Sequence, residues 1–113
     1  MTPDKVDVPP GTLDLLILGT LQLAPMHGLG VARRIEQVTQ GTFKLNPGTF
    51  FPALYRLEQE GLVEGEWGRS ESNRKAKFYR LTRAGRRQLE KSEKHWKRVN
   101  KAIEQVLEAG QEG

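Results

Sequence analysis

From Thr12, taken as an N-cap, the apolar residues Leu13, Leu16, Ile17 and Leu21 recur with the i, i+3, i+4 rhythm of a helix. Leu15, Leu18 and Leu23 fall on other faces, so this helix is apolar nearly all round and needs cover on more than one side. Ala24-Pro25-Met26-His27-Gly28 breaks it, with His27 read as a turn or capping residue. A second helix begins near Leu29, turns Ala32, Ile35 and Val38 to one side with Arg33, Arg34 and Glu36 outward, and stops at Gly41. Asn46-Pro47 supplies an N-cap and a proline at the first helical position, where the missing N–H is not needed. The third helix continues to Gly61, and Pro52 inside it predicts a kink or a tightened first turn rather than a break. Its apolar face is Phe50, Ala53, Leu54 and Leu57; Gly48, Thr49, Pro52, Tyr55, Arg56 and Gln59 point the other way, with Phe51 at the border.

Past Gly61 the period changes. Leu62 to Trp67 and Lys77 to Leu81 read as two strands, joined by the polar loop from Gly68 to Ala76, a hairpin with a projecting tip. Thr82 then caps a long helix running to about Leu107. Its apolar residues Leu89, Trp96, Val99, Ile103 and Val106 keep heptad spacing, with Ser92 in the one missing position. Residues 1–10, with three prolines and no periodicity, are expected to form a disordered arm, and residues 109–113 a frayed tail.

At 113 residues the chain has room for one domain, and 36% apolar with 28% charged residues can support a core. Leu13 to Leu23 is too short and too polar to cross a bilayer, and the N-terminus lacks the pattern of a secretory signal, so a cytoplasmic location without membrane contact is expected. Without cysteine, and with His27 and His95 far apart, no metal site and no cofactor are expected. Titratable groups converging on a pocket are not evident, so the chain is not read as an enzyme.

Charge is uneven along the chain. Of a net +4, residues 69–101 contribute thirteen basic and three acidic groups, a local excess suited to a polyanion. A Lys/Arg-rich helix face turned to water has the same composition, so charge alone does not decide.

Three helices, a hairpin with a basic tip and a final helix form the order of a winged helix-turn-helix: a mainly α (α+β) fold, with residues 11–81 as the DNA-binding domain and 82–108 as a C-terminal dimerisation helix. The third helix has the composition of a recognition helix, since Asn46, Thr49, Tyr55, Arg56 and Gln59 can bond to bases or phosphates and Gly48 permits close approach. Arg69, Arg74, Lys75 and Lys77 are assigned to phosphate contacts from the hairpin. The expected partner is double-stranded DNA. The rival is a winged-helix module that binds protein through Tyr55 and the hairpin, which a salt titration separates from DNA binding.

The strings Gly11-Thr-Leu-Asp-Leu-Leu-Ile-Leu, His27-Gly, Gly48-Thr-Phe-Phe-Pro-Ala-Leu-Tyr-Arg-Leu-Glu-Gln-Glu-Gly-Leu and Lys77-Phe-Tyr-Arg-Leu-Thr-Arg-Ala-Gly resemble the PadR family of bacterial transcriptional regulators. The single C-terminal helix resembles that family's short branch, and Trp67-Gly through Asn73-Arg-Lys-Ala-Lys a subgroup called acidobacterial. Phe51 and Leu29 depart from the family pattern, which has tyrosine at the first position usually and at the second often; any phosphate contact through a hydroxyl at 51 is thereby put in doubt. The resemblance implies a homodimeric repressor of palindromic sites, joined through its first and last helices.

The apolar pattern agrees with a homodimer, since the first helix needs a second cover and the heptad seam has no evident partner in its own chain. The interface is assigned to Leu13, Ile17, Leu21, Leu89, Trp96, Val99, Ile103 and Val106. Two Trp96 rings meeting near the dimer axis pack together or hold a planar molecule. Family relatives respond to flat aromatic compounds, so Leu15, Leu18, Trp96 and Val99 form a candidate site for a small aromatic effector.

Overall fold

The computed structural model describes residues 6–9 and 11–112. In chain order it contains β1 (Val6–Asp7), α1 (Leu13–Leu21), β2 (Met26–His27), α2 (Gly28–Val38), β3 (Phe43–Lys44), α3 (Pro47–Gln59), β4 (Val63–Arg69), β5 (Lys75–Leu81) and α4 (Arg83–Glu112). This is the mainly helical winged helix-turn-helix expected, with a long C-terminal helix. The helices α1, α2 and α3 close around Ile17, Leu18, Leu21, Val31, Ile35, Phe50, Leu54 and Leu57, and Val63 and Leu89 seal the core from the hairpin and α4. Ala53 joins them, so the buried face of α3 consists of the four residues its periodicity indicates.

Local chemistry explains where the helices begin and end. Asn46 Oδ1 accepts from the Gly48 N–H at 2.8 Å, and His27 Nδ1 accepts from the Gly30 N–H at 3.0 Å, each satisfying a donor left open in a first helical turn. Thr12 does not cap α1 in this way: its hydroxyl donates to the Pro9 carbonyl at 2.6 Å. The end of α3 is a Schellman motif, in which Gly61 and Leu62 donate back to Glu58 and Leu57. Gly61 sits at φ +76°, a backbone region that costs glycine nothing.

The hairpin is longer and its tip shorter than the residue pattern indicates. The β4–β5 ladder is antiparallel and continues through Gly68 opposite Ala76 to Arg69 opposite Lys75, so Arg69 and Lys75 are strand residues and only 70–74 turn. Asn73 takes the left-handed position there at φ 60°, and the Ser70 N–H donates to the Arg74 carbonyl at 2.8 Å. Two pairings were not foreseen. Met26 and His27 pair antiparallel with Tyr79 and Phe78, adding β2 to the hairpin as a third strand in the order β2-β5-β4. Val6 and Asp7 pair in parallel with Phe43 and Lys44, which corrects the reading of a wholly disordered arm; residues 1–5 and 10 lie outside the described residues. Two-residue strands have no room for a periodic signal, and a distant partner alone defines them.

The final helix also departs from its expected boundary, since α4 continues through residues 109–112 of the segment read as a frayed tail, Gly113 lying outside the described residues. Its start is bolted to the hairpin. The Thr82 hydroxyl donates to the Gly61 carbonyl at 2.7 Å and accepts from the Gly85 N–H at 3.0 Å. Gly85 lies so close to β4 that a Cβ would stand 2.0 Å from the Leu62 carbonyl oxygen.

Candidate nucleic-acid interface

The outward face of α3 is open along its length: Asn46, Gly48, Thr49, Pro52, Tyr55, Arg56 and Gln59 are all exposed. Proline at the first helical position and the Asn46 cap fix the start of the helix without using the Thr49 side chain. Tyr55, one turn and a half further on, is 61% exposed. Beside this face, the start of α2, Phe51 and the hairpin enclose an open cleft of about 970 Å³. Arg33, Arg69, Arg74, Lys75 and Lys77 line it over an apolar floor that includes Leu29, Phe51, Trp67 and Phe78.

The predicted basic residues divide by what they already hold. Arg74 lines the cleft with no carboxylate partner among the described residues, and Arg69 donates to the Asn73 carbonyl at 3.2 Å, bracing the tip. The Lys75 ammonium lies 5.0 Å from the centroid of the exposed Trp67 ring, an attraction between cation and aromatic face that sets the direction of the side chain. Lys77 is committed to Glu58 of α3 at 2.8 Å, which ties the hairpin to the helix. That hydrogen bond raises the Lys77 pKa against the opposing effect of desolvation, so the ammonium keeps its charge through the neutral range.

Arg56 is committed twice. One guanidinium nitrogen meets Asp14 of α1 at 2.5 Å and the other meets Glu60 at 2.7 Å. Hydrogen bonds to Asp14 and then Glu60 push its pKa upward. Asp14 lies in the first turn of α1, where a negative charge favourably meets the helix dipole, and it also anchors α3 to α1.

The +10 segment is not one patch. Five of its thirteen basic residues lie on the hairpin and eight on α4, where Arg83, Arg86 and Arg87 are exposed but do not line the cleft. Arg33 and Leu29, by contrast, were not assigned to DNA contacts and do line it. The residue pattern marks Arg33 only as an outward residue of the second helix and Leu29 as its start, and the packing of α2 beside the hairpin turns them toward this site.

The residues assigned to a dimer interface also divide. Ile17, Leu21 and Leu89 are buried within the protomer, which corrects their assignment because they have no surface left for a partner. Leu18, assigned to an effector site, is likewise core. Leu13 and Val99 are half-buried, whereas Trp96, Ile103 and Val106 are 42%, 49% and 72% exposed, with Leu107 beside them. Among the described residues there is no cluster of three metal-ligating side chains, and no helix is long and apolar enough to cross a membrane.

A three-helix core, an exposed polar face on α3 and, beside it, a cleft lined by a basic hairpin define a winged helix-turn-helix protein of the DNA-binding class. The family model of the transcriptional regulator PadR-like family matches residues 17–91, and the chain belongs to that family. It is similar to a PadR family transcription regulator from Clostridium difficile, with 29% identity and a TM-score of 0.74 over 86% of this chain and 99% of that one. A PadR-like regulator from Bacillus cereus is similar at 26% identity, with a TM-score of 0.75 over 86% of this chain and 92% of that one. The Escherichia coli transcriptional regulator YqjI is 30% identical over 82% of this chain, which spans only 43% of that protein. The protein is thus a DNA-binding transcriptional regulator.

Proposed function

We propose that the protein is a homodimeric repressor that reads a palindromic operator through α3 and grips its backbone with the hairpin. The observation that carries this reading is an exposed, hydrogen-bonding face on α3 beside a cleft lined by a basic hairpin. The N-terminal half of such a helix reaches base edges in the major groove, and the hairpin adds phosphate contacts that supply affinity without sequence preference. Thr49, Tyr55 and Gln59 have side chains available for readout, with Asn46 and Gly48 allowing close approach at the helix start. Arg69, Arg74, Lys75 and Arg33 face the backbone. Arg56 and Lys77, engaged with carboxylates, hold α3 against α1 and the hairpin instead.

The exposed half of the α4 seam, Trp96, Ile103 and Val106, with Leu107 beside it, supports dimerisation by a second copy. A twofold dimer then sets two recognition helices on half-sites one helical turn apart, ~34 Å. Titrating the protein–operator complex with salt tests this. Three or four phosphate contacts per subunit give a log–log slope of roughly −5 to −7, whereas a slope near zero supports a protein-binding module instead.

Release by a small aromatic effector is supported by a groove of about 550 Å³ between α1, α2 and α4. Leu15 and Trp96 line it and also line a neighbouring hollow of about 250 Å³; Val99 lines neither. With Trp67→Phe removing the second indole, quenching of Trp96 by planar aromatics together with weakened operator binding is the expected result.

A further inference from the structure

One aromatic ring on α3 faces the cleft with no hydrogen-bonding group of its own. Phe51 is the fifth residue of α3, and its ring stands edge-on to Phe50 with centroids 5.1 Å apart. Its other flank is set by Gly28 at the start of α2, where a Cβ would come within 3.0 Å of Phe51 Cε1. Held from two sides, the ring is still 43% exposed and lines the cleft with Arg69, Arg74 and Lys75 of the hairpin. A ring already fixed by packing loses little freedom on contact, so burying its open part is favourable for any apolar group that fits.

We propose that Phe51 is a specificity-determining residue that reads thymine through its C5 methyl group. The inference rests on the DNA-binding reading of α3 and deepens it. Base edges in the major groove present donors and acceptors, and the thymine methyl is the apolar exception among them. A phenyl ring set against a phosphate or a polar base edge strips water from it and returns no hydrogen bond; set against a methyl group, both surfaces gain. Phe51 lies in the part of α3 from which recognition helices reach the bases. Thr49 and Tyr55, exposed on the same helix, carry the hydroxyls for neighbouring polar edges, and the hairpin supplies contacts indifferent to sequence.

The test begins with duplexes selected from random sequence by the unaltered full chain. Each thymine is replaced in turn by deoxyuridine, which deletes the methyl and keeps every hydrogen-bonding group. Burial of one methyl corresponds to about fourfold in affinity. One thymine per half-site is therefore expected to show about a fourfold loss, and simultaneous replacement in both half-sites roughly fifteenfold. At that position 5-methylcytosine binds better than cytosine. In Phe51→Ala the thymine and uridine duplexes bind alike, while Lys94→Ala, at an exposed position of α4 outside the cleft and the seam, keeps the preference. The uridine series uses the unaltered protein, so a folding defect in a variant cannot mask the answer. If every uridine duplex binds like its parent, or if the loss persists in Phe51→Ala, the assignment of Phe51 is overturned while DNA binding by α3 stands. If no duplex is enriched at all, the DNA-binding reading falls and this inference with it.

Discussion

The two halves of α4 carry one continuous heptad seam and put it to opposite uses. At the N-terminal end, Leu89 is buried in the protomer core, Gly85 presses on the backbone of β4, and Thr82 bonds to Gly61. Beyond Trp96 the same seam continues through Ile103 and Val106, both exposed, with the exposed Leu107 beside it. The apolar spacing does not distinguish the halves; what does is whether the chain's own helices reach that far. A helix of 30 residues is ~45 Å long, more than a three-helix core can cover along its flank. The first half is therefore a structural member of the winged domain, and the second is an apolar face left uncovered by its own chain.

The two halves of α4 differ most in what a charge at Ile103 does. A carboxylate buried in an apolar seam costs roughly 3 kcal/mol or more per copy, and twice that in a symmetric dimer. Ile103→Asp is expected to sediment as a folded monomer, because the residue is half open within the protomer. A variant that remains dimeric would move the interface off this face, and one that unfolds would show that the distal half is also needed for the fold.

At Leu89 the expected effect is on folding itself. Leu89→Ala empties a position in the protomer core and is expected to cost about 2–5 kcal/mol, read as an earlier unfolding midpoint in urea, with the shift from the unaltered protein the same at every protein concentration. Concentration dependence of that shift would place Leu89 at the interface after all. Gly85→Ala tests the same anchor by crowding, with an expected loss of about 1–3 kcal/mol as α4 is forced away from Leu62. Hydrogen exchange should then quicken at the start of α4 before the rest of the domain.

The smallest effect belongs between the halves. Glu93 and Lys97 form an exposed i, i+4 pair at 3.0 Å. Lys97→Ala should change stability by less than about 0.5 kcal/mol, because such pairs gain little in water. A thermal melt resolves this, and a larger shift would mean that Lys97 serves the groove it lines beside Trp96 rather than the helix alone.

Much of the site is legible residue by residue. The capping chemistry of Asn46-Pro47 and the face made by Phe50, Ala53, Leu54 and Leu57 are local, written within one helix, and the fold reproduces them. The strand register is less so. Gly68 and Ala76 are weak strand residues, yet cross-strand pairing carries the ladder past them and shortens the tip to 70–74. The partners of Arg56 and Lys77 lie beyond local reading altogether, since Asp14 is 42 positions from the first and Glu58 19 from the second.

By itself, then, the amino-acid order determined which residues turn inward on each helix, where α3 begins, that a basic hairpin follows it and that α4 carries a heptad seam. These are short-range consequences of side-chain size, polarity and backbone preference. Tertiary structure alone decided which basic groups remain available and which apolar ones remain uncovered. It placed Asp14 against Arg56 and Glu58 against Lys77, closed the core over Ile17, Leu18 and Leu21, and left Phe51, Ile103 and Val106 open. A charge finds its partner, and an apolar face its cover, only when distant segments meet, and the spacing of residues along one helix carries no record of that meeting.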